Sequence, residues 1–261
     1  MNQDQSQRAA ELLWQTWTAE RRIDSIPETC RPATRADGYQ IQRQVAEVSG
    51  QATAGWKIAA TSKAGQAHLK VDGPLAGRLL ANRVHPDGTP IVLGNNAMRV
   101  AEAEFAFRLG RDLPPRSQPY ELAEVIAAID TLHPAIEIPD SRYNDFCIVG
   151  SPQLIADNAC AHYFVLGAPT IADWRAIDLS QHVVRLQLNG AVAREGVGSN
   201  VLGDPRIAMT WIANELSSQG IGLLAGQVVT TGTSVVPVPI EQGNQILADF
   251  GCFGTVTTKM E

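Results

Sequence analysis

Two glutamates stand one residue apart in an apolar segment of the chain, VAEAEFAFRLG (residues 100–110). Side chains of a strand alternate between its two faces, so the spacing predicts that Glu102 and Glu104 share one face. Two like charges at that separation repel each other, and a half-buried strand avoids them unless a cation neutralises both. A hard divalent ion such as Mg²⁺ or Mn²⁺ takes oxygen ligands and keeps positions for a substrate. A solvated strand face is the alternative that this spacing leaves open.

Two further segments carry residues that belong with this pair. In HPAIEIP (133–139), Ile136 and Ile138 point into the core of a strand and Glu137 points the other way, which gives a third carboxylate. In WKIAAT (56–61), Lys57 lies on a strand opposite the large apolar side chains. Beside a cation and partly desolvated, Lys57 is expected to have a lowered pKa and to relay protons. A structural ion pair with one of the glutamates is the alternative.

The hydrophobic pattern predicts the elements that position these residues. Helical spacing covers residues 5–20 and 39–48, and we assign residues 1–54 to a small helical N-terminal lobe and 55–261 to the catalytic domain. Further helices are predicted to begin at Ser62, at Pro119 with an apolar stripe through Ile129 to Leu132, and at Asp204 with an end at Gly220. Strands before, between and after these helices, without regular βαβ alternation, indicate an α+β protein around a mostly antiparallel or mixed sheet.

The composition limits the partners of the protein. The 261 residues are 44% hydrophobic, and 21 basic against 27 acidic side chains give a net charge of −6. Nucleic acid and anionic membranes would meet net repulsion, which favours a small-molecule ligand. The N-terminus resembles no secretory signal, no apolar stretch is long enough to span a bilayer, and the four widely spaced cysteines indicate reduced thiols, so a cytoplasmic location is expected.

Six segments together resemble one enzyme family. They are GWKIAATSKAGQAHLKVDGPLAG, AEAEFAFRLGRDLP, LHPAIEIPDSRY, IADNAC, GSNVLGDPRIAMTWIANEL and GQVVTTGT. From about Tyr39 to Val256 the chain is similar to the 2-keto-4-pentenoate hydratases and 4-oxalocrotonate decarboxylases of the fumarylacetoacetate hydrolase (FAH) superfamily. The resemblance implies an FAH-like mixed β-sandwich or roll with flanking helices. It also implies an Mg²⁺ or Mn²⁺ site on Glu102, Glu104 and Glu137, with Lys57 as a nearby catalytic residue.

The same resemblance implies a metal-dependent lyase that acts on short 2-oxo or 2-hydroxydienoic acids in aromatic-compound catabolism. A hydratase adds water at C4 of the ketonised dienol, whereas a decarboxylase forms the dienol by loss of CO2 from a dicarboxylic substrate. Hydratases usually carry D-x-P-D-F-G after the lysine strand, but this chain reads DGPLAG, with Leu75 in place of the second aspartate. Leu75 therefore favours the decarboxylase. A homo-oligomer, and association with a sister hydratase or decarboxylase, are further implications.

Other candidate residues each have a structural alternative. Leu75 and its neighbour Ala76 are expected to line the substrate site. The remaining candidates are Arg142 and Arg78 for a distal carboxylate, Asp157 and Asn158 on an active-site strand, and Thr231, Gly232 and Thr233 for the substrate carboxylate. The alternatives are an aspartate partner for each arginine, a turn for 157–158 and a tight hairpin for 231–233.

Two other functions remain as alternatives. A C–C bond hydrolase of the superfamily would need a water-activating His-Glu pair, and no H-x-x-E occurs at a matching place. A non-catalytic partner subunit is the alternative outside enzymology.

Overall fold

The computed structural model describes all residues from 1 to 261 and contains six α-helices and twelve strands. The helices are α1 (Gln3–Thr18), α2 (Arg35–Ser49), α3 (Lys63–Leu69), α4 (Leu122–Ala128), α5 (Ser151–Ala156) and α6 (Pro205–Ser218). The strands are β1 (Thr53–Ala59), β2 (Leu75–Leu80), β3 (Val84–Pro86), β4 (Val100–Leu109), β5 (Ile129–Ile138), β6 (Tyr163–Leu166), β7 (Val183–Leu188), β8 (Ala191–Val197), β9 (Val228–Thr233), β10 (Val238–Pro239), β11 (Gln245–Asp249) and β12 (Thr255–Lys259). None of the helices has the length and apolar character that crossing a membrane requires.

The strands form two sheets that enclose the main core. The larger sheet has the order β2-β1-β9-β4-β5-β6-β3, with β10 paired to β4, and the smaller sheet has the order β12-β11-β7-β8. Only the pairs β1–β9 and β3–β6 are parallel. Phe105 of β4 meets Phe250, which follows β11, edge to face with ring centroids 5.0 Å apart, so aromatic packing joins the two sheets. The α+β class with a mixed sheet is confirmed.

The two N-terminal helices begin at side-chain caps. The Asn2 side chain accepts from the backbone N–H of Gln5 at the start of α1, and Thr34 does the same for Asp37 at the start of α2. Helix α2 ends at Ser49 and is capped by Gly50, whose φ of 66° is a left-handed conformation that glycine adopts without steric cost. Both helices contribute to a separate cluster of nine buried apolar residues. Helix α1 begins and ends two residues before the predicted bounds.

One helix is much shorter than its apolar stripe predicted. Helix α4 begins at Leu122, not at Pro119, and ends at Ala128, so Ile129 and Leu132 belong to β5. Pairing with β4 runs from Ile129 opposite Leu109 to Glu137 opposite Glu102, and these cross-strand contacts override the local helical period. The prediction that the stripe continues as helix to Leu132 is therefore wrong. Helix α3, capped by Ser62, and α6, capped by Asp204, begin where predicted.

Candidate active site

The curvature of the larger sheet brings four charged side chains together. Glu102 on β4 lies directly opposite Glu137 on β5, and one carboxylate oxygen each of Glu102, Glu104 and Glu137 lie within 4.8 Å of one another. Lys57 is on β1, three strand spacings from β5, or about 14 Å in a flat sheet. Its Nζ nevertheless lies 3.1 Å from Glu137 Oε1, so the sheet curls until side chains of one face converge.

This cluster is buried and short of hydrogen-bond donors. Glu104, Glu137 and Lys57 are only 1%, 0% and 3% exposed. Glu104 Oε1 and Glu137 Oε2 have no hydrogen-bond partner, and Glu137 Oε1 has only the ammonium of Lys57 beside it. Burial raises the pKa of all three glutamates. The neighbouring carboxylates add to this effect at Glu102, whose pKa rises to about 7, and at Glu104, whose pKa rises well above its ordinary value. Buried oxygens without donors, in an all-oxygen donor set, suit a hard divalent cation such as Mg²⁺ or Mn²⁺.

The protonation of Lys57 differs from the expectation. Burial alone would lower the pKa of Lys57, but the negative charges of Glu137, Glu102 and Glu104 together raise it above its ordinary value. The expected lowering assumed a bound cation, whereas the groups of the chain itself favour the ammonium form. Lys57 is therefore a charged donor within a cluster of acceptors.

Residues of β9 fix the orientation of Glu104. Thr230 Oγ1 donates a short hydrogen bond to Glu104 Oε2, and the N–H of Gly232 donates to the same oxygen at 2.9 Å. Gly232 has a φ of 100°, and a Cβ there would lie 2.1 Å from Thr61 Oγ1. Only glycine fits this position. The backbone N–H predicted to meet a substrate carboxylate therefore meets the carboxylate of Glu104.

The two threonines of the expected carboxylate loop also have partners within the chain. Thr231 Oγ1 donates to the carbonyl of Phe105 at 3.0 Å, and Thr233 Oγ1 donates to the carbonyl of Val235 at 2.7 Å. Residues 231–233 end strand β9 and do not form a separate loop. Thr231 therefore joins β9 to β4, and Thr233 holds the chain that follows β9.

A left-handed turn covers Lys57. Asn158, Ala159 and Cys160 have φ values of 51°, 49° and 64°, and Lys57 Nζ donates to the carbonyl of Ala159 at 3.0 Å. Non-glycine residues in this region cost about 1–2 kcal/mol each, and such strain concentrates at functional sites. The turn approaches closely because β2 carries Gly77 opposite Lys57, where a Cβ would lie 1.9 Å from the carbonyl oxygen of Asn158.

Arg142 and Asp157 pair with each other. Arg142 Nε donates a short hydrogen bond to Asp157 Oδ1, Nη2 donates one to the carbonyl of Asp157, and Nη1 donates to the carbonyl of Ala161 at 3.1 Å. Their side chains are 2% and 1% exposed. This is the structural alternative that the sequence left open, and it occupies the guanidinium predicted to bind a distal carboxylate. Arg78 instead stacks on Trp56, with its Cζ 4.4 Å from the ring centroid.

Asn158 differs from its neighbour in having an unpaired donor. Its Oδ1 accepts from the N–H of Arg78 at 3.3 Å, but Nδ2 is buried and has no partner. An unmade hydrogen bond of a buried amide costs free energy, so the group is suited to a ligand. Of the residues on this turn, the Asn158 side chain retains an unused donor.

Leu75 and Ala76 lie on opposite faces of β2. Leu75 is opposite Ala59, which shares the face of Lys57, whereas Ala76 is opposite Ile58 on the other face. Both are fully buried. Of the two residues predicted to line the substrate site, Leu75 shares the face of the charged cluster.

Two groups of the site were missed from the sequence. They are the hydroxyl of Thr230 and the carbonyl of Ala159. The only signal for Thr230 was its place in the run TTGTS, where several hydroxyls compete. A backbone carbonyl in a left-handed turn has no residue-type signal.

Comparisons with known proteins identify a family that covers most of the chain. The model of the family "Fumarylacetoacetate (FAA) hydrolase C-terminal" matches residues 57–261. The chain is 35% identical to 2-hydroxyhexa-2,4-dienoate hydratase of Comamonas testosteroni, over 92% of this chain and 90% of the relative. It is 31% identical to 4-oxalocrotonate decarboxylase of Pseudomonas sp. (strain CF600), over 87% of each.

A solved structure extends the likeness to the whole fold. The 4-oxalocrotonate decarboxylase from Pseudomonas putida G7, complexed with magnesium and adipate, superposes with a TM-score of 0.90 and 28% identity, covering 100% of this chain and 99% of that one. The expected FAH-like fold is thereby confirmed. The chain belongs to the fumarylacetoacetate hydrolase family.

Proposed function

We propose that Glu102, Glu104 and Glu137 hold the divalent metal of a lyase and that Lys57 is its catalytic proton donor. The hydratase and decarboxylase relatives and the magnesium-bound neighbour place this chain among the metal-dependent lyases. The unpaired carboxylate oxygens support the ligand assignment. When bound, Mg²⁺ or Mn²⁺ supplies Lewis-acid stabilisation of the negative charge that develops on the substrate oxygen.

Lys57 is held so that one of its protons remains available. An ammonium has three donors, of which one binds the Ala159 carbonyl and another lies against Glu137. The third can deliver a proton to a dienol or take part in its tautomerisation. We expect Lys57→Met to lower kcat by about 10²–10⁴-fold, with Lys259→Met, at the exposed end of β12, as the matched control.

Within the lyases, we propose decarboxylation of a short 2-oxo dicarboxylic acid. The observation that carries this proposal is Leu75, an apolar side chain on the face of Lys57. Water addition needs a base that activates water. The carboxylates close enough to act on Lys57 are Glu102, Glu104 and Glu137, which we assign to the metal, so no further carboxylate is left for that task. Decarboxylation needs no such group, since the C–C bond to the distal carboxylate breaks, CO2 leaves, and the electron pair enters the conjugated 2-oxo system. Proton uptake then gives the 2-hydroxydienoate.

An apolar wall also favours this step directly. A carboxylate loses charge when it leaves as CO2, so desolvation beside Leu75 destabilises the starting acid more than the transition state. The neighbour from Pseudomonas putida G7 holds adipate, a six-carbon dicarboxylate, which supports a substrate of that class.

Hydration of a 2-hydroxydienoate is the second candidate. The specific observation in its favour is that hydratases match this chain at 35% and 34% identity, above the 31% of the decarboxylase. For either reaction, the available amide of Asn158 is the donor that we propose for the substrate.

The two candidates are separated by proton NMR of the Mg²⁺-loaded protein with each substrate. Decarboxylation predicts that 4-oxalocrotonate yields 2-hydroxypenta-2,4-dienoate and CO2 at a catalytic rate, while the dienoate itself persists. If the dienoate instead yields 4-hydroxy-2-oxopentanoate and EDTA abolishes that product, the protein is a hydratase and the argument from Leu75 fails.

Three further points remain proposals. We propose that the protein acts in aromatic-compound catabolism, that it forms a homo-oligomer, and that it associates with a sister hydratase or decarboxylase. We also propose that residues 1–54 and 55–261 form separate units, which the start of the family match at residue 57 supports. Size-exclusion chromatography with light scattering, alone and with a candidate sister enzyme, tests the assembly.

A further inference from the structure

A polar cavity lies apart from the charged cluster, where the end of α1 meets the segments that precede β4 and β6. It has a volume of about 120 Å³ and is shared by the N-terminal helical part and the sheet. Its charged lining residues are Arg22, Arg83, Arg142, Asp140 and Glu20. None of the residues proposed for catalysis or metal binding lines it.

Arg83 is the unusual member of this group. Its guanidinium carbon lies 4.8 Å from the ring centroid of Tyr163 and 5.5 Å from that of Trp17. It forms no ion pair in the chain, and its buried Nε has no hydrogen-bond partner. A guanidinium has five N–H donors in a fixed planar arrangement, and leaving such donors without acceptors near a protein interior costs free energy. The two aromatic rings hold the Arg83 guanidinium in place but accept no hydrogen bond from it.

Two neighbouring side chains add donors to the same cavity. The indole N–H of Trp17 donates to His162 Nδ1 at 3.1 Å, so neutral His162 carries its proton on Nε2, which no acceptor of the chain engages. Burial and the charges of Arg142, Arg83 and Arg22 lower the pKa of His162 to about 2, which keeps the ring neutral. The Nε of Arg22 is also buried without a partner.

The carboxylates around the cavity do not neutralise Arg83. Asp140 accepts from Arg22, and Asp157 is paired with Arg142. Glu20 lies at the exposed rim and forms no ion pair. The cavity thus has one uncompensated guanidinium and several unused donors.

We propose that this cavity is a binding site for a small oxyanion, held by the guanidinium of Arg83 and the Nε2–H of His162. The volume of about 120 Å³ holds several water molecules, which is room enough for inorganic phosphate or a short carboxylate. Both ligands present anionic oxygens to the same donors, and Arg is the residue that binds such groups with two parallel hydrogen bonds. Phosphate, with more oxygens and more charge, is expected to bind more tightly than acetate.

The test is calorimetric titration of the Mg²⁺-loaded protein with phosphate and with acetate, at constant ionic strength kept by chloride. Saturable binding is expected, and Arg83→Gln is expected to weaken it at least about tenfold. The matched control is Arg194→Gln, which removes an exposed arginine of β8 whose guanidinium donates to the carbonyl of Ala193. Because Arg83→Gln leaves Glu102, Glu104 and Glu137 unchanged, an anion bound at the metal would not respond to it.

A second variant keeps the proposal testable if Arg83→Gln lowers stability. Glu20→Gln removes the rim carboxylate without changing the donors, and phosphate is expected to bind about two- to fivefold more tightly. Tighter acetate than phosphate would identify a short carboxylic acid as the ligand. No saturable binding of either anion, or equal affinity in the wild type, Arg83→Gln and Glu20→Gln, overturns the proposal.

Discussion

Replacement of Gly77 by alanine tests whether the left-handed turn positions Lys57. The new Cβ would lie 1.9 Å from the carbonyl oxygen of Asn158, whereas real Cβ atoms essentially never come closer than 3.0 Å. The obstacle is backbone, so a flexible side chain cannot relieve it. The turn must therefore move by more than 1 Å, and the Ala159 carbonyl that accepts from Lys57 moves with it.

The size of the effect follows from that displacement. A shift of about 1 Å in a catalytic group can cost about 10²-fold in rate, so kcat should fall by roughly that factor while metal binding persists. Overpacking of this kind costs about 1–3 kcal/mol, which lowers the melting temperature by about 2–12 °C in a chain of this size. Steady-state kinetics with 4-oxalocrotonate measures the first effect, and calorimetric melting measures the second.

The matched control is Gly73→Ala in the loop before β2. A Cβ at Gly73 meets nothing within 4 Å, so neither rate nor stability should change. If Gly77→Ala retained kcat within about threefold of the wild type, far less than that loss, the turn would not position Lys57 and its strain would have no catalytic meaning.

Three other predictions concern charge. Glu102→Gln should abolish metal binding measured by calorimetry, whereas Glu195→Gln on the exposed strand β8 should leave it unchanged. If Glu102→Gln still bound the metal, the ligand assignment would be refuted. Burial raises the pKa of Glu102 to about 7, so the stability of the metal-free protein falls as the pH rises from the ordinary range of a carboxyl towards 7, and above 7 the ionised carboxylate is available to a metal. Mg²⁺ should therefore raise the melting temperature more at pH 8 than at pH 6, and an equal rise at both would contradict this. Asp157→Asn leaves the buried charge of Arg142 unpaired and should lower the free energy of unfolding, measured in urea, by about 3–5 kcal/mol. Asp4→Asn, at the exposed start of α1, should leave it almost unchanged, and equal losses in the two variants would show that the pair has no structural role.

The sequence predicted the residues of the charged cluster because strand alternation is a local property. The spacing of Glu102 and Glu104 and the apolar neighbours of Glu137 and Lys57 indicated their faces. The pairing of Glu102 with Glu137, and the 3.1 Å approach of Lys57, depend on register and sheet curvature, which arise from contacts between distant segments. The family resemblance, not the spacing, brought these four residues together in advance.

Other features had no local signal. Ala159 and Cys160 do not favour left-handed backbone, so only tertiary packing produces the turn above Lys57. Ile129 and Leu132 fit a helical stripe, yet pairing along β4 places them in a strand. Arg142 and Asp157 were each read as substrate contacts, and their mutual pairing became visible only in three dimensions.

The composition of the buried cluster has a consequence for which ions it can accept. When ionised, three carboxylates and one ammonium leave two negative charges in a site nearly closed to water. A monovalent ion would leave one of them unbalanced, and a trivalent ion would leave a positive charge, each at a cost of several kcal/mol. Charge balance therefore predicts that the ionised cluster binds divalent ions more tightly than sodium or potassium.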